Sequence, residues 1–251
     1  AEIIQIILKA VVLAGGRGTR GRPFTDYIPK AMIPVHGKPL IYHIARYLSK
    51  FDIIDEIIIV GDFSGIGKQI ERYFENHISF KKPIKFIQDS QSGTGGDLIH
   101  LKSSLGKDKQ FVLWFSDNLS PIDINKMYRF HKDAKTSATI AVRRYRKEET
   151  GFAIVNEGII LEFKEKPIIE LQMAECLGIY IINSEIIKTI KTKKQKREDL
   201  NLSYDILQPL SKKGKIGAYD IGKTPWLDID SPTRVERNKE LVNLIIKKFG
   251  T

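Results

Sequence analysis

Directly after an apolar, β-branched run the chain reads Leu13-Ala14-Gly15-Gly16-Arg17-Gly18-Thr19-Arg20, and Pro23, Thr25, Pro29 and Lys30 follow. Glycines this closely spaced let a backbone approach a phosphate chain until its amide N–H groups donate to the oxygens. The carboxyl end of a strand is also where open α/β sheets take ligands. The turn therefore reads as a cradle for a triphosphate. Its Gly-Gly-x-Gly spacing differs from the Gly-x-Gly-x-x-Gly of dinucleotide folds, and it lacks the Gly-Lys-Ser/Thr ending of a P-loop. A second glycine-rich stretch runs from Gln88 through Gly93, Thr94, Gly95 and Gly96 and opens a helical segment at Asp97. A third run, from Phe111 to Asn118, is an apolar strand that ends in Asp117. A carboxylate there lies at a sheet edge, where a cation and phosphates can compensate its charge; a helix cap is the other reading.

Holding such loops together requires strands joined by helical crossovers. Short apolar runs at 9–14, 56–61, 84–88, 111–116 and 139–143 alternate with segments of helical period at 39–51, 67–76 and 97–104. In the first of those segments Leu40, Ile41, Ile44, Tyr47 and Leu48 share one face. The pattern predicts an α/β fold, doubly wound around a mainly parallel sheet. Beyond about residue 145, segments 151–155 and 159–166 read as a hairpin around Asn156-Glu157-Gly158, and 177–182 as a further strand; this half is expected to cover the sheet's carboxyl edge. A last helix is expected from Ser231-Pro232 to about Lys248.

The 251 residues are 42% hydrophobic, enough to bury a core, and carry 41 basic against 30 acidic side chains, net +11. That excess suits phosphorylated substrates. The basic run from Lys188 to Arg197 reads as a solvated loop or helix end, because no aromatic residues interleave for base stacking, so nucleic acid is not the expected partner. The single cysteine, Cys176, excludes an internal disulfide and a cysteine-rich zinc site, and a cytoplasmic location is the default. The apolar start, interrupted by Lys9 and too short to span a bilayer, reads as strand, not as export signal or membrane anchor. Residues 1–7 stay open between an extra edge strand and a start-site artefact.

Gly15 to Lys30 resembles the first motif of the sugar-1-phosphate nucleotidyltransferases, Gly-Gly-x-Gly-Thr-Arg-x-x-Pro-x-Thr with a later Pro-Lys. Further matches are Gln88 to Thr94, Asp117, Gly151-Phe152, Glu165-Lys166-Pro167, Gly178-Ile179-Tyr180 and Trp226-Leu227-Asp228. They occur in the family's order and span about residues 8 to 240. Gly21, Ser116 and Asp230 depart from the pattern, standing where the family commonly has leucine, glycine and glycine. The resemblance implies a Rossmann-like nucleotidyltransferase fold without a C-terminal β-helix. It would form one domain over 8–251, with a nucleotide-binding half at about 8–145, a small β-rich sugar-binding insertion at 146–230 and a helix at 231–249.

The resemblance also implies roles. Leu13, Ala14, Gly15, Gly16, Gly18 and Thr19 would bind the nucleotide, with Arg20 on the leaving pyrophosphate and Lys30 nearer the reacting centre. Gln88 would bond a pyrimidine edge, favouring UTP or dTTP, while Gly93 and Thr94 contact the base closely. Asp117 and Asp228 would hold Mg2+. Glu165 would bind sugar hydroxyls and Lys166 the sugar phosphate, with Gly151 and Gly178 leaving room for the ring. The implied reaction is in-line attack of a sugar 1-phosphate oxygen on the α-phosphorus of an NTP, releasing pyrophosphate. Two other readings keep the fold: transfer to another phosphorylated acceptor such as phosphocholine, and a catalytically weak, nucleotide-sugar-binding regulatory paralogue. No membrane partner is expected, and a homo-oligomer is left open.

Overall fold

The computed structural model describes residues 7–16, 18, 21–77, 80–106, 109–190 and 199–250. β1 (Leu8–Leu13) leads through short turns at Phe24–Asp26 and Lys30–Met32 to a small hairpin, β2 (Pro34–Val35) and β3 (Lys38–Pro39). Then α1 (Leu40–Leu48), β4 (Ile54–Gly61), α2 (Lys68–His77), β5 (Ile84–Gln88), α3 (Gly93–His100), α4 (Lys102–Leu105) and β6 (Gln110–Phe115) alternate. β7 (Asn118–Leu119), α5 (Ile124–Ala134), β8 (Ala138–Lys147), β9 (Gly151–Asn156), β10 (Ile159–Glu165) and the long β11 (Ile168–Asn183) follow. α6 (Glu185–Thr189), a helical turn at Leu202–Leu207, α7 (Gln208–Ser211), β12 (Ile216–Asp220), β13 (Leu227–Asp228), α8 (Pro232–Arg237) and α9 (Lys239–Phe249) complete it.

One seven-stranded sheet, in the order β12-β8-β11-β6-β1-β4-β5, organises these elements. β6, β1, β4 and β5 are parallel, β12 is parallel to β8, and β11 runs antiparallel to both its neighbours. β1 is apolar on both faces because it lies in the middle. Ala10 and Val12 enter one core, Val11 and Leu13 the other. The first core packs α1, α2, α5 and α9 against the sheet, with Tyr47 and Phe249 stacked at 4.3 Å. The second packs α3, α4, α6 and the turn at 202–207.

Each predicted strand and helix has a counterpart, with shifted limits. The helix expected at 97–104 begins at Gly93 and is interrupted at Leu101. The last helix is two, broken at Asn238, whose backbone leaves the helical region. The strand at 177–182 is the end of β11, and with β8 and β12 it extends the main sheet instead of covering its edge. α5, absent from the sequence reading, has a readable start: the Asp123 carboxylate accepts from Lys126 N–H at 3.0 Å. No helix among the described residues is long and apolar enough to cross a membrane. Most of the basic run at 188–197 lies outside the described residues.

Two histidines are core residues. His43 is 2% exposed with Nε2 at 2.8 Å from Val35 O, and His131 is 1% exposed between Thr139 Oγ1 and Asn183 Oδ1. Burial lowers both pKa values. At His43 the nearby cations of His36, Arg46 and Lys38 add to this against the Val35 bond, and at His131 Lys132 adds against the Asn183 bond. Unfolded imidazoles titrate near 6.5, so as pH falls through that value the unfolded chain binds more protons than the folded one and stability declines. His131→Gln is expected to flatten this decline, read as the difference in denaturant midpoint between neutral and mildly acidic pH. An unchanged slope would contradict the assignment.

Candidate active site

At the carboxyl ends of β1 and β6 the sheet opens into a cavity of about 340 Å³, lined by Leu13, Ala14, Gly16, Gly18, Lys30, Thr94, Phe115, Ser116, Asp117 and Asp230. The loop after β1 is held by Thr25, 4% exposed, whose hydroxyl donates to Gly18 O at 2.6 Å. Gly21 N–H donates to the same carbonyl at 2.8 Å. A Cβ on Gly21 would stand 2.7 Å from both Asp230 O and Thr25 Cγ2, so a side chain at 21 would push the segment carrying Asp230 away. Two departures from the family pattern, Gly21 and Asp230, thus form one feature: the missing side chain admits the backbone that brings the extra carboxylate to the cavity. Thr19 and Arg20 lie outside the described residues.

Both carboxylate oxygens of Asp117 are hydrogen-bonded. Its Oδ2 accepts from Lys30 Nζ at 2.5 Å and its Oδ1 from Asn118 Nδ2 at 2.6 Å. Asn118 Oδ1 in turn accepts from Gly178 N–H at 3.1 Å and Trp226 Nε1 at 2.8 Å. One amide, 4% exposed, therefore ties the strand-end carboxylate to β11 and to the segment before β13. Gly178 has no Cβ because the Asn118 amide occupies that space. Gly178 was expected to make room for a sugar ring, and this contact gives it a packing role.

Asp228 pairs with Asn118 across the β7–β13 ladder, and Ile229 N–H donates to Asp117 O at 2.7 Å, so the two predicted carboxylates sit on adjoining backbones. Asp228 Oδ1 accepts from Arg234 Nη2 at 2.8 Å, while Asp117, in the turn between β6 and β7, bonds Lys30 and lines the cavity. Asp230 also lines the cavity, and its Oδ1 accepts from Ser231 Oγ at 3.1 Å. Asp117 and Asp230 are hard oxygen donors on one cavity, a set that fits Mg2+, which takes one or two protein carboxylates and completes its shell with water and phosphate.

Gln88 ends β5, as expected, but its amide is fully engaged. Oε1 accepts from Phe63 and Ser64 N–H at 2.9 and 3.1 Å, and Nε2 donates to Asp62 and Asp89 at 3.1 and 3.2 Å. No hydrogen-bond position is left in this conformation for the base edge that Gln88 was expected to bond. Asp89 lies against the glycine loop, with Oδ2 at 2.6 Å from the Cβ position of Gly15. Burial, then the charges of Asp97 and Asp62, raise its pKa. Gly93 and Thr94 are covered by the segment at 200–202: Leu200 O accepts from Gly95 N–H at 2.8 Å, and Thr94 Oγ1 accepts from Leu202 N–H at 3.0 Å. Thr94 still lines the cavity.

Three of the sugar-side residues, Gly151, Glu165 and Lys166, share one place outside that lining. Gly151 and Glu165 are register partners at the base of the β9–β10 ribbon. Lys166 follows with φ of 48°, its N–H donating to Thr150 O at 3.2 Å. Sequence reasoning missed Thr25 as a loop support and Asn118 as the hub. The signal for Asn118 was an amide directly after the strand-end Asp117.

The fold and this lining define a doubly wound α/β protein whose glycine loop, lysine and carboxylate meet at the ends of parallel strands. A family model described as "Nucleotidyl transferase" matches residues 9–237, and the chain belongs to that family. It is 28% identical over 243 residues to the bifunctional protein GlmU of Methanocaldococcus jannaschii, covering 95% of this chain and 55% of that protein. It is also 28% identical over 255 residues to a mannose-1-phosphate guanylyltransferase regulatory subunit alpha-A of Danio rerio, covering 90% of this chain and 60% of that one. The chain thus spans little more than half the length of these relatives. A UDP-glucose pyrophosphorylase crystallised with UDP-glucose superposes with a TM-score of 0.69 at 24% identity, over 96% of this chain and 99% of that one, and shares the fold.

Asn118→Ala would strand the Gly178 N–H and the Trp226 indole N–H and release Asp117. A loss of about 3 kcal/mol, or about 10 °C in melting temperature, is expected by calorimetry. A change within about 0.5 kcal/mol would remove the hub role.

Proposed function

We propose that the chain transfers a nucleoside monophosphate from an NTP to a sugar 1-phosphate, releasing pyrophosphate. The observation that carries this is one cavity lined by Gly16, Gly18, Lys30 and Asp117 at the ends of β1 and β6, in a chain of the nucleotidyltransferase family. Phosphoryl transfer needs position and charge more than covalent chemistry by the protein. The loop N–H groups receive the phosphates, Lys30 supplies a fixed cation beside them, and Arg20 serves the leaving pyrophosphate. Lys166 and Glu165 receive the phosphate and hydroxyls of the acceptor, whose anionic oxygen attacks without a protein base. Bound by Asp117 and Asp230, Mg2+ would supply further neutralisation of phosphate charge.

The pyrimidine preference, UTP or dTTP, rests on Gln88, whose amide must exchange from Asp62 and the Phe63–Ser64 backbone to a base edge. A regulatory, nucleotide-sugar-binding role is the second reading, favoured by the name of the Danio rerio relative and by the capture of Asp228 by Arg234.

Incubation of each NTP with a panel of sugar 1-phosphates and phosphocholine, reading pyrophosphate, separates these readings. Release with UTP or dTTP and a sugar 1-phosphate is expected; nucleotide-sugar binding without release supports the regulatory reading. Asp117→Asn is expected to lower turnover by about 10²–10³, and Asp230→Asn to cost more than Asp228→Asn. The reverse order would return the second metal position to Asp228.

A further inference from the structure

We propose that Asp89 selects the base of the bound nucleotide, its carboxylate accepting the ring N–H of uracil, thymine or guanine and refusing cytosine and adenine. Asp89 is half-buried at the carboxyl edge of the sheet. Its N–H donates to Gly61 O at 2.9 Å, and Ala14 N–H donates to Val60 O at 2.7 Å, so the loops after β1 and β5 leave from adjacent points on β4. The side chain and Gly15 are fitted to each other. A Cβ on Gly15 would stand 2.6 Å from Asp89 Oδ2 and 3.4 Å from its Cβ and Cγ, so the loop carries glycine there because the carboxylate fills the space. Ala14 and Gly16, on either side of Gly15, line the cavity, as does Thr94 from the opposite loop. A triphosphate held by Gly16, Gly18 and Lys30 leaves its base to lie along this wall, between the glycine loop and residues 88–94. That placement of the base rests on the transfer reading.

The chemistry of the carboxylate decides which base edge it takes. Ionised, it offers lone pairs and no hydrogen. Uracil and thymine present N3–H, and guanine N1–H, each beside a carbonyl oxygen, whereas cytosine N3 and adenine N1 present a lone pair at the same place. Toward the first group the contact is a charge-assisted hydrogen bond; toward the second, two lone pairs face each other. A donor for the neighbouring carbonyl is already at hand, because Gln88 Nε2 lies 3.2 Å from Asp89 Oδ1 and 3.1 Å from Asp62 Oδ1. Exchanging the Asp62 contact for a base carbonyl sets a donor and an acceptor side by side, the complement of a keto base. Asp89 also gains by the contact. Burial, then the charges of Asp97 and Asp62, disfavour its ionised form against the hydrogen bonds of Gln88 and Gln91, and a ring N–H supplies one more donor to that carboxylate.

Calorimetric titration of the unmodified chain with UTP, CTP and 3-methyl-UTP tests this without a variant. CTP and 3-methyl-UTP keep the ribose and triphosphate but lack the ring N–H, and each is expected to bind at least about tenfold more weakly than UTP. Asp89→Asn removes the charge and adds a donor. With an unchanged circular dichroism spectrum, it is expected to bring UTP and CTP within about threefold of each other, whereas Gln88→Ala weakens UTP and leaves it ahead of CTP. Equal affinity for UTP and 3-methyl-UTP, tighter binding of CTP than of UTP, or a folded Asp89→Asn that keeps the wild-type ratio would each overturn the proposal. Pyrophosphate release with a sugar 1-phosphate, read on the same samples, reports the transfer reading separately. Discrimination among the nucleotides without release leaves base selection standing and removes transfer, and binding of none of the nucleotides removes both.

Discussion

The site depends on a carboxylate placed at the end of a buried strand. Asp117 leaves an apolar β6 whose Phe111, Val112, Leu113 and Trp114 are wholly buried, and an unpaired charge there would be costly. Lys30 and Asn118 take one oxygen each. Because Lys30 follows the glycine loop and Asn118 holds Gly178 and Trp226, solving this one electrostatic problem fixes the relative positions of segments 87 residues apart in one direction and 60 and 108 in the other. The connection runs through the buried amide of Asn118, which has no water to compete for its partners.

The same logic explains why sequence departures need not be defects. Gly21, Ser116 and Asp230 each break the family pattern. Gly21 and Asp230 meet: a Cβ at 21 and the carbonyl of Asp230 cannot share the space. Ser116, 6% exposed, keeps the backbone hydrogen bond to Leu13 O at 3.0 Å, so the strand end is held where a glycine would have been. The cavity consequently has its own carboxylate arrangement, with Asp230 inside and Asp228 turned to Arg234.

Much of this was legible in the residues. The alternation of apolar runs and helical periods gave the parallel strands β1, β4, β5 and β6 within a few residues, and the glycine loop, Lys30, Thr94 and Asp117 do line one cavity. Four things were not legible. The break at Asn238 and the length of β11 are decided by packing against neighbours, which local propensity does not contain. The direction of Asp228 depends on ladder register, since a shift of one position turns a side chain to the other face. The engagement of Gln88 depends on a loop at 62–64, remote in sequence and without a motif.

The central claim is that Lys30 and Asp117 act as one unit on a bound triphosphate. A double-mutant cycle with Lys30→Gln and Asp117→Asn, read as affinity for UTP by calorimetric titration, measures this directly. A coupling energy of about 1 kcal/mol or more is expected. Additive effects, with no coupling between the two positions, would contradict it.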